Sequence, residues 1–582
     1  MITFAVLGLG NRGSVYSNYI AKNKDAKIVS VCDVRHESLK QAAELYGVEK
    51  SELFLSEDKF FEKKRADVLI IATLDALHCR QTVKALSLGY DVLLEKPVAP
   101  TQAECNEIYA AAKRYGGDVV ICHNLRYTPF YQKFKTLIKS GIIGDVLNVE
   151  QTENVAYHHY MCSFIRGKWH SEEETSPILL AKCCHDLDII SWLVEGKDES
   201  IQSFGALKYY TRAHKPAGTP DRCMDCKLKD CIYNAFEFSL KDPNTLCVPY
   251  GFDYSRESIA AFLSRKDNLY GQCVFACPND MCDRQCVNIS FDRGVKASLL
   301  MHGFSTYQTY RVTRVFGSKG KLSGRLEDGI IRVSLFDGTD KYIDVNGEIA
   351  KGSDHSGGDA KLVSDYISYK TTGVRALGIS ELKDSLQSHE IAFNADKLRK
   401  ANALPPDEKI AAEGQTNECV KGRGIKQASG IYGEIKNFVL NGEAGEVQAV
   451  AATANYNKAE LKQKVSADLA FLCALIGSPV YKYKIDISNE EYLHGFINAF
   501  FENGAVLRYT LTSSPLKNRA EISVFCPQAN VYGDTESARV ITRSGDYFAE
   551  QVEKKIEENS ETNAEFACET GKNMLSSVLE NL

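Results

Sequence analysis

The chain has 582 residues, too many for a single hydrophobic core and enough for several domains. A composition of 44% hydrophobic and 25% charged residues excludes a disordered, collagen-like or low-complexity chain. Seventy basic against 76 acidic residues leave a net charge of −6, so no basic surplus draws the chain to nucleic acid or acidic lipid, and a small-molecule partner is expected.

Met1 to Gly8 lacks the charged and apolar regions of a signal peptide, and no window reaches 18 uninterrupted apolar residues. The expectation is a soluble cytoplasmic protein with no membrane partner, its 19 cysteines thiols or metal ligands. The apolar run 2–7 predicts a strand, followed by a helix over 14–21, a strand over 27–32, a helix over 37–46 and a strand over 68–72. A helix over 78–88, a strand over 91–94 and a helix over 101–115 complete an alternation that argues for βαβ units and a parallel sheet. Beyond Cys122 the runs 146–152, 286–291, 296–302, 311–316 and 329–336 alternate in polarity between Gly/Asp/Asn turns, which predicts a mostly antiparallel sheet.

The expected organisation is an α/β Rossmann domain over 1–122 and an α+β domain over 123–401 with a large, mostly antiparallel open sheet and a Cys-rich insertion at 220–290. A polar linker over 402–418 carries Pro405-Pro406, and a degenerate copy of the α+β domain over 419–582 follows. The copy rests on three matches in the same order: Tyr131–Val146 with Tyr432–Val447, Lys182–Leu187 with Lys464–Leu469, and Phe291–Gly294 with Phe501–Gly504. His185 has Ala467 as its counterpart, so the copy has lost its chemistry.

Gly8-Leu9-Gly10-Asn11-Arg12-Gly13 follows a strand and opens a helix, the context in which G-x-G-x-x-G cradles a dinucleotide pyrophosphate. Asp33, at the end of the next strand, is placed for the ribose diol and favours NAD; Arg35 keeps NADP open. With Glu95-Lys96-Pro97 and Asn124-Leu125-Arg126-Tyr127-Thr128-Pro129, the pattern resembles the Gfo/Idh/MocA oxidoreductases over roughly residues 1–400, including Gly141-x-x-Gly144, His185-Asp186-x-Asp188, Gly357-Gly358-Asp359 and His389.

The resemblance implies hydride transfer between NAD(P) and a ring carbon of a sugar, sugar derivative or cyclitol. It implies that Gly8, Gly10, Asn11, Arg12, Gly13, Asp33 and Arg35 hold the cofactor, with Thr73, His78, Glu95 and Asn124 on its nicotinamide side and Tyr127 at the substrate. Lys96 would stand between nicotinamide and substrate hydroxyl, and His185 would exchange the hydroxyl proton. Family members often carry Asp four residues before that histidine; here it is Ala181, and Lys182 at i−3 is expected to share a helix face with His185 and keep it neutral. His159, Arg166 and Trp169 are expected to line a sugar pocket, the alternative being a structural loop anchored by the Trp.

Eight cysteines between 223 and 286 predict a structural Zn site on Cys223, Cys226, Cys231 and Cys273 (or Cys277), with an Fe–S centre or free thiols as the alternatives. Besides the sugar dehydrogenase, the same residues fit an NAD-dependent glycosidase working by transient oxidation, elimination, water addition and re-reduction. A redox-sensing dinucleotide-binding regulator is the third reading. A carbohydrate substrate is expected in either enzymatic case, and the chain is expected to form a homo-oligomer or a pseudo-dimer within itself.

Overall fold

The structure, a computed structural model, describes residues 1–401 except 229, 243–245, 247, 249–251, 307 and 349–354, and beyond them the backbone of eight strands between 449 and 555. The linker 402–418, Cys247 and the segments 432–447 and 464–469 lie outside the described residues.

Six parallel strands make the first sheet: β1 (Ile2–Leu7), β2 (Ala26–Cys32), β3 (Leu53–Phe54), β4 (Val68–Ile71), β5 (Asp91–Leu94) and β6 (Val119–Ile121), in the order β3-β2-β1-β4-β5-β6. The connecting helices are α1 (Asn11–Ala21), α2 (His36–Tyr46), α3 (Glu57–Phe60), α4 (His78–Ser87) and α5 (Gln102–Tyr115). Every residue of Val68-Leu-Ile-Ile71 is buried, as expected for a parallel strand covered on both faces. The strand order reverses at β1/β4, which opens a crevice at the carboxyl ends of these strands. Thr101 caps α5 by accepting from the Glu104 N–H while its hydroxyl donates to the Glu104 carboxylate, and Gly116 ends the helix in the left-handed region.

The second domain contains α6 (Pro129–Lys139), β7 (Val146–Ala156), α7 (Tyr157–Tyr160), α8 (Ile178–Ala181), α9 (Cys184–Val194), β8 (Asp198–Ala206), α10 (Ala235–Lys241), α11 (Arg256–Ser264) and β9 (Arg284–Phe291). It continues through β10 (Lys296–Ser305), β11 (Tyr310–Gly317), β12 (Gly320–Arg325), β13 (Ile330–Leu335) and β14 (Asp340–Asp344). Its sheet runs β14-β13-β12-β11-β7-β10-β9-β8 and is mixed, because β7 and β10 pair in parallel while every other neighbour is antiparallel. Val149, Val287, Ile289, Ala297, Leu299 and Met301 point from it into one core shared with α9. The chain then returns to the first domain: α12 (Gly358–Thr372) packs Leu362, Val363 and Tyr366 against the first sheet, and α13 (Leu382–Ala401) contributes Ile391 and Ala392 to the second core.

The eight described strands beyond residue 448 are β15 (Ala449–Tyr456), β16 (Val480–Asn489), β17 (Leu493–Phe501), β18 (Val506–Ser513), β19 (Arg519–Phe525), β20 (Ala529–Asp534), β21 (Ser537–Thr542) and β22 (Gln551–Lys555), joined as one sheet. Among the described residues no helix is long and apolar enough to cross a membrane.

Arg126, following β6, donates two hydrogen bonds, 2.7 and 2.6 Å, to the Asp188 carboxylate on α9, and both side chains are buried. Removing one charge of such a pair strands the other. Asp188→Asn is therefore expected to cost about 3–5 kcal/mol, read from the urea midpoint; a loss under about 1 kcal/mol would contradict this account.

Candidate active site

At the first crevice, Gly8 sits at φ +92° and a Cβ there would lie 2.6 Å from the Ala72 carbonyl oxygen. A Cβ on Gly13 would lie 1.9 Å from the Gly8 carbonyl oxygen, so this glycine sets how closely α1 approaches β1. Gly10 has no heavy atom within 4 Å of a built Cβ and gives α1 no side-chain cap, which leaves the helix N-terminus open to an anion. Asn11 is exposed at the first position of that helix. Asp33 accepts the Leu9 N–H at 2.7 Å and the Arg35 N–H at 2.8 Å. Arg35 folds back on it and donates to the Leu9 carbonyl at 2.9 Å. The open turn, the free helix end and the carboxylate at the β2 terminus fit a dinucleotide.

Arg12 has another task. Its Nε donates to Glu95 at 2.8 Å, its two terminal nitrogens to Asp359 at 3.0 and 2.6 Å, and one of them to Tyr16 at 2.6 Å. Burial opposes ionisation of Glu95, yet the charges of Arg12 and Lys96 hold its pKa below the usual carboxylate range. The other Glu95 oxygen accepts the Lys96 N–H at 2.9 Å, and Asn124 donates to Asp359 at 3.0 Å. Thr73 donates to Gln81 at 2.6 Å, and the buried His78 ring lies 2.8 Å from the Pro97 carbonyl, bracing the turn that carries Lys96.

Lys96 Nζ reaches across to the second domain and donates to the Ala181 carbonyl at 3.1 Å, one turn before His185. The His185 ring meets that of His123 edge-on at 5.9 Å, and His123 meets His389 at 6.1 Å. His389 accepts the Val98 N–H at Nε2, 2.9 Å, which leaves Nδ1–H to donate to the Ser385 carbonyl at 2.7 Å. Burial, then the neighbouring His123, hold His389 near a pKa of about 3. Burial and the Arg126 charge likewise keep His123 neutral. His159, its ring stacked on Phe164 at 6.1 Å, is driven well below the ordinary imidazole range by burial and then by the charges of Lys182, His158, Arg311 and Lys96. Lys96, Lys182 and His159 thus share one electrostatic neighbourhood.

Four expectations change. Lys182 does not share a helix with His185: α8 ends at Ala181 and α9 begins at Cys184, and Lys182 in the break pairs with the buried Glu153 at 3.3 Å. Tyr127, expected at the substrate, is buried in the first-domain core against α12. Arg166 is buried and donates to the carbonyls of Gln272 (2.7 Å) and Tyr233 (2.9 Å) and to Cys223 Sγ (3.3 Å), which anchors the insertion, while Trp169 packs on Phe164. Among the described residues no three His, Cys, Asp or Glu side chains stand where they could hold a metal ion, which corrects the zinc assignment to Cys223, Cys226, Cys231 and Cys273. A cation already stands among these thiols: Cys223, Cys273 and Cys277 all lie within electrostatic reach of the Arg166 guanidinium.

Glu153 and Arg311 were missed, and Asp186 and Asp359 were named only as parts of motifs, without a role. Arg311 bridges Glu153 (2.8 Å) and Asp186 (3.0 Å), which also accepts from Gln151 at 2.8 Å. Burial raises the Glu153 pKa although Arg311 and Lys182 pull the other way. The alternation of polar residues along β7 (Gln151, Glu153) on a face otherwise lined by Val149 and Val155 was the available signal.

The sequence model described as oxidoreductase family, NAD-binding Rossmann fold, matches residues 2–123, and that described as oxidoreductase family, C-terminal alpha/beta domain, matches 135–348. Among curated proteins, the putative oxidoreductase YteT of Bacillus subtilis is 28% identical over 282 residues, 46% of this chain and 63% of that one. The 2,7-anhydro-N-acetylneuraminate hydratase of Escherichia coli is 28% identical over 206 residues, 35% of this chain and 53% of that one. The chain therefore spans 53–63% of the length of these relatives. A levoglucosan dehydrogenase solved with NADH and levoglucosan shares the fold at a TM-score of 0.52 and 16% identity, over 69% of this chain and 98% of that one.

Because the Gly13 Cβ has nowhere to go, Gly13→Ala is expected to push α1 off β1, at about 1–3 kcal/mol, and to weaken NADH binding at least tenfold by fluorescence titration. Unchanged NADH affinity would contradict the assigned turn.

Proposed function

From the premise that the chain belongs to the Gfo/Idh/MocA family of NAD-binding oxidoreductases, we propose that it transfers hydride between NAD and a ring carbon of a sugar, sugar derivative or cyclitol. The observation that carries this reading is the reach of Lys96 from the carboxyl end of β5, beside the dinucleotide turn, to the Ala181 carbonyl next to His185. Lys96 of the first domain therefore meets the second domain four residues before His185 in the chain.

The bound nicotinamide supplies the hydride acceptor. The chain supplies the rest. Gly8, Gly10 and Gly13 shape the turn for the pyrophosphate and Asp33 takes the ribose diol; the Arg35 cover over Asp33 must swing aside for it. Carbinol oxidation needs the hydroxyl proton removed as hydride departs, and His185 is the base for it. Lys96 donates to the same oxygen and stabilises its developing negative charge in a water-poor site. Lys182, held by Glu153, adds a second positive charge beside His159.

A second reading is supported by one feature. Glu153 carries a raised pKa beside Lys182, which provides an acid–base pair beyond the one that hydride transfer requires. That pair suits elimination and water addition next to a transiently oxidised carbon, as in an NAD-dependent glycosidase, and the hydratase relative is in keeping with such chemistry.

Lys96→Met is expected to lower kcat by about 10²–10³ with NADH affinity within a few-fold, and His185→Ala by a comparable factor. Near-normal turnover in Lys96→Met would sink the assignment. Recording NADH absorbance together with aglycone release on aryl glycosides and free sugars separates the readings: NADH accumulating with substrate loss means a dehydrogenase, and aglycone without net NADH means the glycosidase.

A further inference from the structure

The side of the second sheet that faces away from α9 is buried as thoroughly as the side that faces it. Asn148 and Glu150 on β7, Ser298 and Leu300 on β10, and Cys286 and Asn288 on β9 alternate with the inward core residues, so they point outward. Their exposures are 1 and 5%, 0 and 0%, and 1 and 4%. The face is largely polar, with Glu150 paired to Arg314 at 3.3 Å, the texture of an interface rather than of a core. Among the described residues, the backbone of β18 lies alongside β9.

The sheet that contains β18 repeats the second sheet strand for strand. One runs β8-β9-β10-β7-β11-β12-β13-β14 and the other β16-β17-β18-β15-β19-β20-β21-β22, each with its single parallel pair at the same place, β7/β10 and β15/β18. The registers coincide as well. Asn148 pairs with Lys296, and Ala449 with Val506, shifts of 449 − 148 = 301 and 506 − 296 = 210 residues. These equal the 447 − 146 = 301 and 501 − 291 = 210 that separate the matched segments of the sequence. Ser200 pairs with Ser290, and Lys482 with Phe500, again 210 apart on the second strand and 482 − 200 = 282 on the first, the shift that relates Lys182 to Lys464. Even the irregularity after Asp198 recurs after Val480. A one-residue slip would turn every side chain to the other face, so agreement in register across the sheet is a strong constraint.

We infer that the strands β15–β22 form an internal partner sheet that seals the outer face of β7, β10 and β9, so that one chain carries two copies of the same sheet packed on each other. Because the halves are tethered, they meet at a high effective concentration, and a polar face suffices to hold them. The tail half is free to do without the base proposed for the first half, since its part depends on the sheet alone; in the matched sequence segments Ala467 is the counterpart of His185.

The test uses the full chain with a protease recognition sequence inserted between residues 407 and 415. The uncut chain is expected to sediment as a single 64.7 kDa particle, and after complete cleavage the two pieces are expected to stay together at that mass. Leu300→Arg on the outer face should then let the pieces part after cleavage, with the melting transition of the first 400 residues retained by circular dichroism. If that variant does not fold, Asn288→Arg serves the same purpose at the edge of the face. Pieces that separate without a substitution would overturn the inference, as would an uncut chain at twice its mass whose dimer Leu300→Arg dissociates, because a second copy would then occupy the face.

Discussion

The guanidinium of Arg12 gathers carboxylates from two remote stretches of chain, Glu95 at the end of β5 and Asp359 at the start of α12. Withdrawing three charges from water is costly, and the geometry offsets it with a bidentate fork to Asp359, a bond to Glu95 and a tyrosine hydroxyl from Tyr16. The consequence is positional. Glu95 cannot turn, its second oxygen takes the Lys96 N–H, and the amine therefore leaves the first domain aimed at the second. The same triad ties α12, which belongs to the returning end of the second domain, to the nucleotide turn that opens the first.

Around that anchor the site is built from groups kept neutral by burial. His389 spends both ring nitrogens on backbone, one on the loop after Lys96 and one on its own helix, and so joins the two domains without carrying charge. His123 stands between it and His185. Beside Lys96, Lys182 and Arg311 a further imidazolium would be repelled. Carboxylates balance the cations on the sheet side, where Arg311 bridges Glu153 and Asp186.

The Cys-rich insertion follows a different logic. Arg166 reaches from the loop after α7 and hydrogen-bonds two carbonyls and one sulfur of the insertion, tying to the second domain a segment that packs a small apolar cluster of its own around Ile259 and Leu263. Spacing of cysteines alone could not distinguish a shell around a metal from a shell around a guanidinium.

The periodicities of residues 2–94 determined four of the six parallel strands, β1, β2, β4 and β5, almost to the residue, because strands buried on both faces and helices with one apolar face leave strong local patterns, whereas β3 and β6, two and three residues long, were too short to leave one. The same holds for the glycine turn, where a backbone requirement is written directly as residue type. Strands β8, β12 and β14 were not legible: they sit toward the sheet edges, with polar or glycine-containing stretches that pair only once their neighbours exist. Lys182, Arg166 and Arg12 were singled out as residues, but the protein groups they bond were not foreseen. A charged side chain chooses its partner by tertiary proximity, and the oxygens of Glu153, Gln272 and Asp359 that face them come from chain positions that no sequence spacing relates. Identity and local geometry were therefore decided in the sequence, and the pairing of buried charges only by the fold, since the low dielectric that makes such pairing obligatory exists only after the chain has closed around it.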